Sequence, residues 1–306
     1  MKYKALAIDL DGTLLVGEDL SPENRDAVRK AHDAGLEIII ATARWRQMAE
    51  GIAKQLGIQK PIIACSGAQV FIPELGKDIF DHRLPDNFVE ELYALCNLHR
   101  CIATITIDTD VILKLDGEPD LSQLPEEMVW VKQLDTNAHK APRIAAIQGS
   151  ALVKEIKEVL GPKYKDQVNI YDSIGPSGKL VITITAAKAN KGKALLACCE
   201  HLGIDPMSVV TFGDAENDIE MFKVSGASVA MGQAAEFIKS AATTTTDQPF
   251  MERLWDIPKR IFQCRGSLFS IKTKSPVRST PDPLFKFFQG RQFIPGLDLH
   301  GFLRIF

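Results

Sequence analysis

The most constraining feature of the sequence is a series of short, continuous apolar runs that alternate with helical segments. The runs lie at 5–8, 36–41 and 61–64, and predicted helices at 22–34 and 45–56 separate them. Continuous apolar runs are typical of strands that are buried on both faces, and intervening helices allow successive strands to pair in parallel. The pattern predicts an α/β fold with a Rossmann-like, doubly wound parallel sheet.

The middle of the chain has a different rhythm, in which strands follow strands. A hairpin is predicted at 70–72 and 79–82, a helix at 86–98, strands at 101–107, 111–115, 128–133, 143–148 and 179–185, and a helix at 150–160. Strands that follow one another directly pair antiparallel. This segment therefore reads as an inserted α+β domain.

The alternation of helices and strands returns after Asn190. Helices are predicted at 191–202, 217–223 and 233–241, and strands at 209–212 and 228–231. We therefore predict a core domain made of residues 1–83 and 188–258, with a cap domain at 84–187 inserted into it. Residues 259–306 form a tail outside both.

Composition separates the tail from the body. The chain of 306 residues carries 36 basic and 39 acidic side chains, a balance that does not favour nucleic-acid or membrane-surface binding by the core. The tail alone holds nine lysines and arginines, two aspartates and eight of the 15 phenylalanines. It could bind RNA or an anionic membrane, or be a poorly ordered or foreign extension. Its prolines interrupt any helix and favour the extension.

Cysteine usage and hydropathy bear on location. The six cysteines form no C-x-x-C pair, which predicts reduced thiols. The first residues do not resemble a signal peptide, and no apolar run reaches the roughly 18–20 residues that span a bilayer. These features predict a cytoplasmic protein without a membrane span.

Polar residues cluster where the predicted core strands end and where one helix begins. They are Asp9, Asp11, Thr42, Lys191, Asp214, Asn217 and Asp218. Taken singly, each fits a solvated turn, a cap or a surface charge, and Asp-Gly is a common turn dipeptide. Ligands of open α/β sheets bind at the carboxyl ends of the strands. Together, carboxylates for a hard cation and lysine and hydroxyl donors for a phosphoryl group describe a magnesium–phosphate site.

Four motifs, in order, resemble those of the haloacid dehalogenase (HAD) superfamily of phosphotransferases. They are Asp9-Leu10-Asp11-Gly12-Thr13, Ala41-Thr42-Ala43-Arg44, Asn190-Lys191-Gly192 and Gly213-Asp214-Ala215-Glu216-Asn217-Asp218-Ile219-Glu220-Met221. The resemblance covers about residues 3–246. The sequence is most similar to the Cof-type branch of this superfamily, whose cap is inserted between the second and third motifs. Val229-Ala230-Met231-Gly232 also fits that branch.

The resemblance implies a Mg²⁺-dependent phosphatase that acts on small organic phosphate monoesters. Asp9 would attack phosphorus to form an aspartyl-phosphate, and Asp11 would protonate the leaving oxygen and then activate water. Mg²⁺ would be held by the Asp9 carboxylate, the Asp11 main-chain carbonyl and Asp214, with Asp218 in support. Thr42, Lys191 and Asn217 would bind the phosphoryl oxygens. A phosphomutase with the same nucleophile, or a non-catalytic phosphate-binding protein, is the alternative.

Several positions depart from the branch pattern. Ala43 replaces the usual Gly, Ser66 the usual Asn, and Gln233 the Asn expected after Met231-Gly232. Residues 247–250 stand where the family has an acidic-Gly-Val ending. Arg44, Ser66 and Gly67 are expected near the substrate entrance, where Arg44 would contact a second anionic group or be solvated.

Overall fold

The structure, a computed structural model, describes residues 2–15, 17, 19–115, 117–174 and 179–246. The predictions for 247–250 and for the tail at 259–306 lie outside these residues. Within them, no helix is both long enough and apolar enough to cross a membrane. The five cysteines of this part are buried free thiols.

The described chain forms two sheets with helices packed on them. The strands are β1 Ala5–Ile8, β2 Glu37–Ala41, β3 Ile62–Ala64, β4 Gln69–Ile72, β5 Lys77–Asp81, β6 Ile102–Ile107, β7 Asp110–Leu115, β8 Met128–Val131, β9 Ile144–Gln148, β10 Val168–Ile174, β11 Leu180–Ala186, β12 Val209–Gly213, β13 Ala227–Ala230 and β14 Thr244–Thr245. The α-helices are α1 Pro22–Asp33, α2 Arg46–Leu56, α3 Asp86–Leu98, α4 Ser150–Glu155, α5 Gly161–Lys163, α6 Lys191–Leu202, α7 Ile219–Val224 and α8 Glu236–Ala241.

The core sheet has eight strands in the order β14-β13-β12-β1-β2-β3-β4-β5. β1 pairs in parallel with both β2 and β12, whereas β3, β4 and β5 pair antiparallel. The side chains of β1 are buried on both faces, with Leu6 and Ile8 in one apolar cluster and Ala5 and Ala7 in another. The predicted doubly wound parallel sheet is therefore confirmed.

Side-chain caps fix where two core helices begin. The Ser21 hydroxyl accepts a hydrogen bond of 3.1 Å from the backbone N–H of Asn24 and caps α1. The Asn190 side chain accepts one of 2.8 Å from the N–H of Lys193 and caps α6. Capping of this kind satisfies backbone donors that have no partner within the helix. The Asn190 cap makes Lys191 the first residue of its helix.

The cap sheet has six strands in the order β10-β11-β9-β6-β7-β8. All neighbours pair antiparallel except β7 and β8, which are parallel. The predicted antiparallel insert is confirmed in this sheet, and its domain boundaries at 83/84 and 187/188 stay a prediction. One face packs on α3 and α4, and the other shares a buried cluster with the core.

The structure corrects several predicted elements. Strand β10 is missing from the sequence prediction, although Val168 and Ile170 alternate with polar residues. The helix predicted at 150–160 is α-helical only to Glu155 and continues as a π-helix over Ile156–Leu160. The helix predicted at 233–241 begins three residues later, because Ala235 has an extended conformation.

Arg143, just before β9, ties the cap to the core. Its side chain is only 4% exposed and contacts Asp81 of the core at 2.8 Å and Asp78 at 3.2 Å. It also donates to the backbone carbonyl of Asp108 in the cap at 2.7 Å. Arg83 connects the same two regions, with contacts of 2.7 Å to Asp81 and 2.6 Å to Asp108. Burial and its several partners make Arg143 the stronger of the two anchors.

We predict that Arg143→Met destabilises the protein by about 2–4 kcal/mol, because it leaves half-buried carboxylates without their main partner. The matched control is Lys157→Met, which removes an exposed ion pair with Asp172 and should cost less than about 1 kcal/mol. Urea unfolding measures both free energies. Equal losses of unfolding free energy in the two variants would show that the buried contacts of Arg143 stabilise the protein no more than the exposed ion pair does.

Candidate active site

Three site residues follow parallel strands at the same edge of the core sheet. Asp9 follows β1, Thr42 follows β2, and Asp214 follows β12. The chain runs from β1 outward through β2, and β12 returns on the other side of β1, so the strand order reverses between β1 and β12. Ligands of open α/β sheets bind at such a reversal. Asp9 and Asp214 flank it.

The turn after β1 depends on Gly12. Its φ of +77° lies in the left-handed region, and a Cβ at this position would overlap the Asp214 carboxylate. Only glycine adopts this conformation without strain and leaves the space free. The Thr13 hydroxyl, next in the chain, lies 3.4 Å from Asp214 Oδ1. The glycine therefore lets two separate loops meet at the strand ends.

Lys191 lies at the centre of the site. Its Nζ donates to Asp9 Oδ1 at 2.6 Å and to Asp218 Oδ1 at 2.7 Å, and its side chain is 1% exposed. The other oxygen of Asp218 accepts the backbone N–H groups of Asp214 and Ala215, each at 2.9 Å. Asp218 thus links the lysine to the loop after β12.

Burial and mutual repulsion shift the pKa values of these groups. Burial raises the pKa of Asp9 well above its ordinary value, Lys191 counteracts this, and the neighbouring carboxylates add to it. Burial, followed by Asp218, raises the pKa of Asp214 to about 7. Burial alone would lower the pKa of Lys191, but Asp218 and Asp9 outweigh it and raise that pKa above its usual value. The site holds more negative charge than one lysine compensates.

The carboxylates of Asp9, Asp214 and Asp218 can share one cation. Each offers an oxygen, and these oxygens all lie within 4.8 Å of one another. Oxygen donors of this kind suit a hard divalent cation. Such a cation would also relieve the repulsion that raises the pKa values of Asp9 and Asp214. The residues present therefore fit a magnesium ion.

Asp11 has a different partner. Its carboxylate accepts two hydrogen bonds from the Arg44 guanidinium, 2.9 Å from Nε and 2.6 Å from Nη2. The Arg44 side chain is only 5% exposed, so the expectation of a solvated arginine is wrong. The reason is that bidentate pairing with a carboxylate compensates a guanidinium for its loss of water. The Arg44 guanidinium, which was expected to contact a second anionic group of the substrate, therefore already pairs with Asp11.

The remaining sequence-predicted residues are buried. Thr42 is fully buried and its hydroxyl accepts from the Arg44 N–H at 3.1 Å. The Asn217 amide donates to the Ser66 hydroxyl at 3.2 Å, and within the described ranges its Oδ1 has no hydrogen-bond partner. Gly67 is buried as well, and a Cβ there would overlap the backbone of Asn190. Ser66 and Gly67 are therefore buried, and their place at the substrate entrance stays a prediction.

Sequence reasoning missed the contact that Gln233 makes. Its amide donates to the carbonyl of Gly12 and to Asp214 Oδ2, the latter at 3.3 Å. The signal was the position directly after Met231-Gly232, which the sequence prediction treated only as a departure from a family pattern. Gln233 connects the turn after β13 to both aspartate loops.

A sequence profile of the haloacid dehalogenase-like hydrolases matches residues 6–249. The chain belongs to this family. The prediction of a HAD hydrolase is thereby confirmed.

Relatives and solved structures agree with this assignment. The hydrolase is 29% identical over 273 residues to the 5-amino-6-(5-phospho-D-ribitylamino)uracil phosphatase YwtE of Bacillus subtilis, covering 79% of this chain and 92% of YwtE. It is 26% identical over 265 residues to the pyridoxal phosphate phosphatase YbhA of Escherichia coli, covering 79% and 92%. A HAD-like hydrolase structure from B. subtilis has a TM-score of 0.69 at 23% identity, covering 85% and 99%, and therefore shares the fold.

We predict that MgCl₂ stabilises the hydrolase more at about pH 8 than at about pH 6. The pKa of Asp214, raised to about 7, means that its protonated form stabilises the metal-free fold and that this contribution is lost as the pH rises through 7. A cation must displace that proton, so one unit below the pKa its apparent affinity falls about tenfold.

The measurement is the rise in melting temperature that MgCl₂ causes at each pH, relative to NaCl of equal ionic strength. Asp214→Asn should reduce the magnesium-specific shift at the higher pH. A shift of equal size at both pH values would contradict the assignment of Asp214 to the cation site.

Proposed function

We propose that the hydrolase is a Mg²⁺-dependent phosphatase of small organic phosphate monoesters that works through an aspartyl-phosphate intermediate. The observation that carries the proposal is the pairing of the buried Lys191 with Asp9 and Asp218 at the sheet edge, beside an Asp11 that Arg44 holds. The pairing brings together a nucleophile, Asp9, an acid–base group, Asp11, and the buried ammonium of Lys191. A cytoplasmic location is part of the same proposal.

The first step is attack by Asp9 on phosphorus. A carboxylate oxygen of Asp9 forms the new bond to phosphorus while the bond from phosphorus to the ester oxygen breaks. Mg²⁺ bound by Asp9, Asp214, Asp218 and the Asp11 carbonyl would neutralise the charge of the phosphoryl group. The Lys191 ammonium holds Asp9 in place from the buried side, 2.6 Å from Oδ1.

Asp11 moves the protons of both steps. It gives a proton to the ester oxygen as that oxygen leaves, and it then takes a proton from the water that attacks phosphorus. The bond between phosphorus and Asp9 breaks in the second step, which releases phosphate, returns Asp9 to a carboxylate and leaves Asp11 protonated, as it was before the first step. The two hydrogen bonds from Arg44 fix the orientation of Asp11 for this exchange.

Donors around the phosphoryl group would stabilise its transition state. The hydroxyl of Thr42 and the ammonium of Lys191 lie at the same sheet edge and are buried, so water competes little with them. Asn217 adds an amide from the turn after β12. Relatives named as phosphatases of pyridoxal phosphate, of phosphoglycolate and of 5-amino-6-(5-phospho-D-ribitylamino)uracil support phosphate monoesters as the substrate class.

We predict that Asp9→Asn lowers phosphate release at least about 10³-fold, because an amide is a poor nucleophile. The amide keeps the shape of the side chain, so the folded structure should persist in circular dichroism spectra. Asp166→Asn, at an exposed turn, is the matched control and should keep wild-type activity. Activity of the Asp9 variant within tenfold of wild type would exclude Asp9 as the nucleophile.

The Arg44–Asp11 pair predicts a dependence on the leaving group. Arg44→Met should lower kcat for an alkyl phosphate roughly tenfold or more, because an alkoxide leaves poorly without a well-placed acid. With p-nitrophenyl phosphate, whose leaving group needs little protonation, the loss should be several-fold smaller. Arg46→Met is the control, because that guanidinium lies over the Phe71 ring at 4.3 Å. Equal losses with both esters would mean that Arg44 has only a structural role.

A further inference from the structure

The side of the cap sheet that faces the core can be assigned from packing. Ile102, Leu113 and Val181 belong to the same buried cluster as the core residues Leu10 and Trp45. Their chain neighbours on the same strands pack instead on the cap helices; examples are Ala103, Ile112 and Ile182. Because side chains alternate across a strand, every second residue of each cap strand faces the core.

The core-facing side of the cap sheet carries no charge. At the core-facing positions of the six cap strands, as far as the structure describes them, there is no lysine, arginine, aspartate or glutamate. The charged strand residues lie on the opposite side, where Asp172 pairs with Lys157 at 2.7 Å and Lys114 donates to the His99 carbonyl at 3.1 Å. The polar groups on the core-facing side are hydroxyls and amides.

These hydroxyls and amides are neighbours. Strand register places Tyr171 beside Thr183, and Ala146 between Thr183 and Thr104. Gln148 lies in the next row along β9, between Ile102 and Val181. Neighbouring strands are about 4.8 Å apart, so the group spans the width of a sugar-sized molecule.

The polar side of the cap sheet lies near the catalytic edge. Strand β10 packs against the turn Glu216–Asp218, which follows Asp214. Burial, and then Glu220 and Glu216, raise the pKa of Tyr171 to about 12, and Lys191 opposes them. The charged groups that act on the Tyr171 phenol are thus Glu216, Glu220 and Lys191, and two of these three are negative.

Gln148 is a buried side chain whose hydrogen-bonding groups are unused. It is 3% exposed, and neither its Oε1 nor its Nε2 has a hydrogen-bond partner among the described residues. An unpaired buried amide costs free energy unless a ligand or water satisfies it. Because one atom accepts and the other donates, the amide is complementary to a pair of hydroxyl groups.

We propose that the substrate's leaving group is an uncharged polyhydroxylated molecule and that Gln148 binds its hydroxyl groups. This inference rests on the proposed phosphatase function. In the part of the chain that the structure describes, Lys191 and Arg44 already pair with aspartates, so neither is free to bind a second phosphate or a carboxylate on the leaving group. Such an anionic group would also be repelled by Glu216 and Glu220. The uncharged face of the cap thus selects among phosphate monoesters.

The test compares two esters that differ in one group. Sorbitol 6-phosphate and 6-phosphogluconate have the same six-carbon chain, which ends in a hydroxymethyl group in the first and a carboxylate in the second. We expect the full-length protein with Mg²⁺ to favour sorbitol 6-phosphate at least about tenfold in kcat/KM. An equal or higher kcat/KM for 6-phosphogluconate would overturn the inference.

A variant tests the role of Gln148 itself. Gln148→Leu keeps the size of the side chain but removes its polar atoms. It should lower the kcat/KM for sorbitol 6-phosphate, relative to p-nitrophenyl phosphate, at least about tenfold. Gln55→Leu, the same change at an exposed position of α2, should leave that ratio unchanged. An unchanged ratio in the Gln148 variant would refute its assigned contact.

The two proposals fail in different ways. Phosphate release from p-nitrophenyl phosphate together with a preference for 6-phosphogluconate would retain the phosphatase and reject the uncharged leaving group. No release from any of the three esters would overturn the proposed function and, with it, the inference about its substrate.

Discussion

The contact of the Lys191 ammonium with Asp9 and Asp218 is the interaction on which the site depends. Burying several carboxylates at one sheet edge is costly unless a cation compensates them. Lys191 reaches them because α6 begins at this residue, capped by Asn190, directly after the return from the cap. The same contact couples the strand end after β1 to the turn after β12. One lysine therefore joins segments that are far apart in the chain.

The incomplete compensation of charge has a functional consequence. One ammonium pairs with two aspartates, and Asp214 remains with a pKa of about 7. A fold that keeps this excess of negative charge in a buried site is destabilised by it and gains from binding a divalent cation. The cap has the opposite character, because its core-facing strand positions are uncharged where they are described. The charged groups of the site therefore lie at the edge of the core sheet, and in our proposal the leaving group meets hydroxyls and amides of the cap.

Local sequence patterns predicted the core well because its central strands are buried on both faces and a polar residue follows β1, β2 and β12. The cap was harder. Strand β10 has only a short alternation in Val168–Ile174 and was missed, since its pairing with β11 is a tertiary contact. The Arg44–Asp11 pair and the contacts of Gln233 are also tertiary contacts, and the burial of the Gln148 amide likewise depends on tertiary packing. Residue types at strand ends indicate the chemistry, but their partners depend on how separate loops meet.

The stereochemical course at phosphorus tests the central claim most directly, because it reports whether Asp9 forms a covalent intermediate. Each in-line displacement inverts the configuration at phosphorus, so attack by Asp9 followed by attack by water gives net retention. The measurement uses a phosphate ester made chiral with oxygen isotopes and analyses the configuration of the transferred group. We expect retention. Inversion would mean that water attacks the ester in a single step, and it would contradict the role assigned to Asp9.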